Sequence, residues 1–371
     1  MIPFRTLVAA ALALALAPSA QARAPLDCPL RDAPFSAASP LVDILLSKPA
    51  TAAFEQAAPG MLAKLPPLMT GTAAPTFGAI VTPREALMFV GADTASVDRV
   101  DVALRKVAVT PADRTARCAR YDAERTPYRL APGKPAILLF EKMTGFRDTP
   151  SVLAAHAMIV DLAKARGWQV VSTDRAGLIN PADLRRFRAV VWNNISGDVL
   201  TLTQRRAFRS WVENGGGYVG MHGSSGDPVS FWPWYADTLI GARFAGHPMN
   251  PQFQEARVLV DDPRSPMAKG LPASWSMTDE WYSFVASPRT VPGTHVVLAL
   301  DEASYAPGTG FGRDLRMGDH PIAWTRAVGK GRMAYSAIGH RPEVYADPNN
   351  RRLIENALAW AMQLKDGEAR N

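Results

Sequence analysis

Cysteine is almost absent from this 371-residue chain: Cys28 and Cys118 are the only two, and neither sits in a setting that suggests a nucleophile. No thiolate chemistry is therefore available beyond residue 118. In an oxidising compartment an isolated pair reads as a disulfide rather than as two free thiols. Long apolar runs are also scarce. After the first two dozen residues each strand-like run is soon cut by charge, Gly or Pro, so no later segment reaches the roughly 20 residues a spanning helix needs. The net charge of +7 is spread without a run of five or six basic residues, which argues against a nucleic-acid partner. No Gly-x-Gly-x-x-Gly follows a strand, since Gly215-Gly216-Gly217 precedes one, and no P-loop occurs. These two absences argue against NAD and against a nucleotide.

What is present divides the chain into three. Residues 1–22 have the form of a signal peptide: Arg5, an apolar run from Leu7 to Ala17, and an Ala-x-Ala ending at Ala22. A periplasmic or secreted protein, not inserted in the membrane after cleavage, is the expectation. Residues 23–130 are rich in Ala and Pro without strand alternation, and predict a small helical domain. Short helices are expected at 40–46, at 51–58 before Pro59-Gly60, at 83–90 and at 96–106, with 131–135 as the linker.

From Ala136 strands and helices alternate, which predicts an α/β domain over 135–365 built on a mainly parallel sheet with helices on both faces. Ala136 to Phe140 reads as a strand buried on both sides. A helix over 150–166 capped by Thr149 follows, then strands at 170–172 and 189–192. Thr201-x-x-Gln204 is a capping box, and Tyr218 to Met221 is a strand that leads into His222. The later strands near 254–260, 275–285 and 295–300 read as antiparallel, 322–328 and 332–338 as a closing pair around Gly329-Lys330-Gly331, and 351–362 as a final amphipathic helix. The Gly/Pro-rich loop 306–312 reads as mobile.

Ligands in open α/β sheets bind beyond the carboxyl ends of the strands. Three polar clusters fall there: Glu141 to Asp148, Asn193 to Asp198, and His222 to Ser225. Imidazole is the commonest metal ligand and titrates near neutrality, which singles out His222, His247, His320 and His340, whereas His156 and His295 lie in bland settings. Asp279-Glu280 is the most attractive carboxylate pair, and on a regular strand only one of the two faces the site. A serine-hydrolase reading of Ser224 or Ser225 is weak, because no Gly-x-Ser-x-Gly elbow exists.

The same residues carry a resemblance. Gly145-Phe146-Arg147, Asn193 to Leu200, Gly215 to His222, Trp232 to Tyr235, His247-Pro248, Thr278 to Tyr282, His320 to Trp324 and Gly339-His340 occur in the order of ThuA-like, trehalose-utilisation signatures. The resemblance implies a flavodoxin-like fold of the class I glutamine amidotransferase type. His222 stands where those enzymes place a nucleophilic cysteine, so amidotransferase chemistry is excluded by residue type. It also implies work on a sugar or an oxidised (keto) sugar, by hydrolysis, elimination or isomerisation. His222, Glu280, His340 and Asp148 are the expected catalytic group, with a divalent metal on His222, Glu280 and His340 as a candidate. Arg147, Asn193, Asn194, His247, Asp279, Trp281, Tyr282, His320 and Glu343 are the expected ligand contacts. One departure stands out: Asp148 follows Gly-Phe-Arg where relatives usually carry His. It leaves a non-catalytic sugar-binding or accessory protein as the main alternative, and a metal-dependent hydrolase of other polar substrates as a third reading.

Overall fold

The structure, a computed structural model, describes residues 26–310 and 312–364, so the signal segment read in the sequence lies outside the described residues. Six helices precede the first strand: α1 (Leu41–Leu45), α2 (Lys48–Ala57), α3 (Pro67–Thr70), α4 (Pro83–Phe89), α5 (Thr94–Arg105) and α6 (Pro111–Cys118). Four of them match the expected positions within a few residues. α6 was not foreseen, although Thr110 and Asp113 form a full capping box at its start. Around Phe35, Ile44, Phe54, Val97, Val100 and Leu104 these helices close a small apolar core of their own. Beside it lies a buried charge cluster. Arg120 donates to Asp43 at 2.6 Å, and Arg117 donates to the carbonyls of Leu30 and Ala33 at 2.8 and 2.7 Å.

The remainder is α/β. In chain order its strands are β1 (Ala136–Phe140), β2 (Gln169–Thr173), β3 (Ala189–Asn193), β4 (Gly217–Met221), β5 (Phe244–Gly246), β6 (Phe253–Val260) and β7 (Ser274–Glu280). They continue with β8 (Ser283–Phe284), β9 (Thr294–Asp301), β10 (Thr309–Gly310), β11 (Arg313–Asp314), β12 (Pro321–Val328) and β13 (Gly331–Ser336). The helices here are α7 (Thr149–Ala165), α8 (Pro181–Leu184), α9 (Leu202–Glu213) and α10 (Pro348–Ala361). Nine strands form one sheet in the order β2-β1-β3-β4-β13-β12-β9-β6-β7. The sheet is mixed: β2, β1, β3, β4 and β13 run parallel, and β12, β9, β6 and β7 extend it in antiparallel pairs. The loop expected to be mobile, 306–312, holds β10, which pairs with β11 just beyond it.

The two halves bury themselves differently. Every residue of β1, β3 and β4 is buried, as a strand between two helical layers requires. In β4 a side chain at Gly217 would meet the Ala361 carbonyl of α10, while the next residue, Tyr218, packs its ring edge-on to Phe208 of α9. Successive strand residues point to opposite faces, so α9 and α10 cover opposite faces of the parallel half. β6 instead alternates buried and exposed, the mark of a strand with one wet face. α7 is capped by Asp148 rather than by Thr149: the Asp148 carboxylate accepts from the Ser151 amide at 3.2 Å. A carboxylate there also meets the positive end of the helix dipole.

Cys28 and Cys118 form a disulfide with their Cα atoms 5.5 Å apart, closing a loop of 90 residues around the first six helices. Such a crosslink removes conformational freedom from the unfolded chain. The C28S/C118S double variant is expected to lose about 2–5 kcal/mol of unfolding free energy, measured by urea titration. A loss below about 0.5 kcal/mol would show that the loop is already confined without the bridge.

Candidate functional site

His222 leaves β4 in a left-handed turn, with φ of +36°. Few non-glycine residues hold that conformation, so something must fix it. Three contacts do. The Tyr335 hydroxyl donates to the His222 carbonyl at 2.8 Å, the ring stacks on Tyr282 with centroids 4.1 Å apart, and Nδ1 lies 2.7 Å from the Ala337 carbonyl. A carbonyl only accepts, so Nδ1 carries the proton. Nε2 is then left buried and unpaired, 3.4 Å from Glu280 Oε2 with no hydrogen bond formed.

Glu280 is 1% exposed and lies among imidazoles. His340 Nδ1 is 2.9 Å from Oε2, His247 Nδ1 is 3.1 Å from Oε1, and Gln252 donates to Oε1 at 2.5 Å. Burial opposes ionisation of Glu280, but the His222 and His340 contacts and the nearby His222 and His247 charges outweigh it and hold the carboxyl well below its usual range. Burial likewise favours the neutral form of His340, and the Glu280 hydrogen bond and charge overcome it and raise the imidazole above its ordinary value. His222, Glu280 and His340 can each offer one ligand atom within 4.8 Å of the others, which is metal-site spacing.

Sheet order alone would keep these groups apart. β4 and β7 are five strand steps from each other, roughly 24 Å in a flat sheet. The antiparallel half must therefore curl over the rim. Its β12–β9 pairing carries register shifts between Pro321 and Trp324, the kind of irregularity that bends a strand and increases its twist. Asp279 then fastens the join. It faces away from Glu280 and accepts the amides of Gly339 at 2.6 Å and Arg341 at 3.0 Å, which fixes the loop that presents His340. Burial pushes the Asp279 carboxyl up. Gly339, with φ of +151°, is required here: a Cβ would lie 2.3 Å from the Tyr345 hydroxyl and 2.9 Å from His222 Cβ.

The cluster forms the floor of a cavity of about 310 Å³. Asn194, Asp148 and His247 also line it, Asp148 from the α7 cap and outside the metal-spaced trio. The other sequence candidates lie elsewhere. Asn193 is fully buried and donates to Glu141 and to the Val152 carbonyl. Trp281 is core, its indole donating to the Gln254 carbonyl at 2.8 Å. His320 is buried, with its ring nitrogens 2.9 Å from the Tyr282 carbonyl and 2.7 Å from Glu302, so it holds the backbone of Tyr282. Arg147 and Glu343 are exposed, and Glu343 pairs with Arg341. Trp232, Trp234 and Tyr235 pack with Trp192 and Phe208 in the core. Ser224 donates to the Trp192 carbonyl at 2.8 Å, which removes it as a nucleophile for His222.

Sequence reasoning missed Gln252 and Asp227. Asp227 accepts from the Ser196 hydroxyl at 2.5 Å and the Gly197 amide at 2.7 Å, on the wall between this cavity and a neighbouring one of about 330 Å³. Burial pushes its carboxyl up to about 7. The signal available was its place five residues after His222 on the same rim loop.

Two outcomes follow. D279A leaves two buried amides unpaired and is expected to cost about 2–5 kcal/mol, one to three per orphaned donor less relaxation, by denaturant titration. In metal-free protein, NMR titration should place His340 above a free imidazole, and E280Q should return it toward the ordinary range. An unshifted His340 would mean the pair is not formed in solution.

The family model described as ThuA, trehalose utilisation, matches residues 136–361. Among solved structures, a ThuA-like protein of Bacteroides uniformis is 26% identical, covers 66% of this chain and 98% of its own, and superposes with a TM-score of 0.53. One of Parabacteroides merdae is 18% identical over 64% of this chain and 92% of its own, with a TM-score of 0.48. No curated protein matches the chain. Because the family model spans more than half of its length, with the metal-spaced trio inside the match, the chain belongs to the ThuA (trehalose utilisation) family.

Proposed function

We propose that the protein is an exported enzyme acting on a sugar or an oxidised, carbonyl-bearing sugar, and that His222, Glu280 and His340 hold a divalent cation at the cavity floor. One observation carries the reading: His222, Glu280 and His340 each bring one ligand atom within 4.8 Å of the others, and His222 Nε2 lies 3.4 Å from Glu280 Oε2. A neutral His222 would set its lone pair against that carboxylate, and either a second proton on the ring or a cation relieves the pair. Two imidazoles and one carboxylate are a donor set used by catalytic zinc, which keeps a position open for substrate. The cavity supplies the space for that open position.

A bound cation would polarise a carbonyl or hydroxyl oxygen of the substrate. The chain's own groups do the rest. Tyr282 holds the His222 ring flat, and His247 and Gln252 satisfy the oxygen of Glu280 that faces away from His222. Asp227, whose carboxyl burial pushes up to about 7, is the candidate proton donor or acceptor on the cavity wall. Hydrolysis, elimination and isomerisation of a keto-sugar share these requirements. Export is supported by the leader-like sequence and by the disulfide, since disulfides persist in oxidising compartments.

The test is elemental analysis of protein purified without chelator, paired with melting shifts against sugars and keto-sugars. About one divalent ion per chain is expected, its affinity falling by at least about tenfold in H222A and in E280Q as a ligand is lost, together with a sugar-induced shift. A sugar shift without metal would favour a binding protein instead. The absence of both signals would overturn the reading.

A further inference from the structure

The walls of the cavity differ in chemistry from its floor. Above His222, Glu280 and His340 it is lined by Leu68, Met69, Phe77, Ile80 and Phe89, all from the segment that precedes the α/β part. Phe146, Phe244 and Met249 continue the same apolar wall from the rim loops. Several of these side chains are exposed although large: Leu68 is 56% exposed, Phe89 53%, Met249 56% and Phe146 38%. Exposed apolar residues scattered singly need no explanation, but a group converging on one cavity mouth marks a binding surface.

A free sugar fits such a wall poorly. Its hydroxyls would leave water for a surface that offers them no partners, and an unpaired buried hydroxyl is penalised. Polar groups gather on the floor and beside it, at Asp148, Asn194, Asp227, His247 and Gln252, and the residues from the preceding segment add none. At about 310 Å³ the cavity stands at the small end of the range for small-molecule sites, about 300–1,000 Å³, room for one small glycoside.

We propose that the substrate is a glycoside with an apolar aglycone, its sugar ring on the His222–Glu280–His340 floor and its aglycone against Leu68, Phe77 and Phe89. The inference rests on the sugar reading above and adds the aglycone to it. The segment that carries the selectivity is docked rather than loosely tethered. The Thr76 amide donates to the Thr144 carbonyl at 3.0 Å and the Val229 amide donates to the Ile80 carbonyl at 3.2 Å, so the roof is tied to the rim loops on two sides. It also lies wholly outside residues 136–361, so the selectivity it gives belongs to this chain and not to the family core.

Titration calorimetry on the purified protein with methyl β-glucoside, phenyl β-glucoside, their 3-keto forms and phenol tests this. Burying one aromatic ring should make the phenyl glucoside bind about tenfold or more tighter than the methyl glucoside. L68S/F89S, two changes at half-exposed positions, should erase that difference, with an unshifted melting temperature checking that the fold is kept. Equal affinities in the unaltered protein, or a difference that survives in L68S/F89S, would overturn the aglycone assignment and leave the sugar reading standing. Binding of phenol with neither the glucosides nor their 3-keto forms bound, or no binding of any of these, would sink the sugar reading and this proposal with it.

Discussion

A carboxylate buried to 1% exposure governs the arrangement of this protein. Removing an isolated charge from water costs several kcal/mol, and only close, well-oriented partners offset it. Glu280 meets its partners from three directions: His222 at the end of β4, His340 after β13, and His247 with Gln252 from the segment before β6. Each is distant in sequence from the others. The floor therefore exists only when the antiparallel half of the sheet has curled over the carboxyl ends of the parallel half, which couples completion of the fold to completion of the site.

The pair Asp279-Glu280 shows how one strand serves both demands. Alternation sends the two carboxylates to opposite sides. One faces the cavity among imidazoles; the other, fully buried, accepts two backbone amides and pins the His340 loop. Each is committed to its own side: the oxygens of Asp279 are taken up by the two amides, and those of Glu280 by the imidazoles and Gln252. His320 and Tyr345 extend this support outward. The first holds the backbone of Tyr282, and the second donates to the Gly339 carbonyl at 2.8 Å while accepting from Asn194.

Much of this was legible in the sequence, for reasons that can be stated. Continuous apolar strands, capping residues and Gly stops are local signals, so β1, β3, β4 and α7 fall close to where the pattern puts them. The imidazoles and Glu280 could be named because they sit at strand ends within ordered motifs. What could not be read depends on long-range geometry. Trp281 and Tyr282 are neighbours in sequence, yet the first turns into the core and the second lies under His222. No periodicity shows that β7 crosses five strand steps to reach β4. Asp148 is a milder case: its capping role was available in Asp148-x-x-Ser151, but the resemblance drew attention to chemistry instead.

The roof over the cavity was invisible for another reason. Leu68, Phe77 and Phe89 belong to a region whose sequence signals only short helices and turns, and nothing in that pattern says which surface it will cover. Its own small core and the Cys28–Cys118 bridge make it a unit that can change without disturbing the α/β sheet. His222, Glu280 and His340, by contrast, are locked together around one buried charge. A protein built this way can keep that floor while altering what lines the cavity above it. Differences in selectivity among proteins that share the α/β part should accordingly concentrate in segments outside 136–361 and in the rim residues those segments touch.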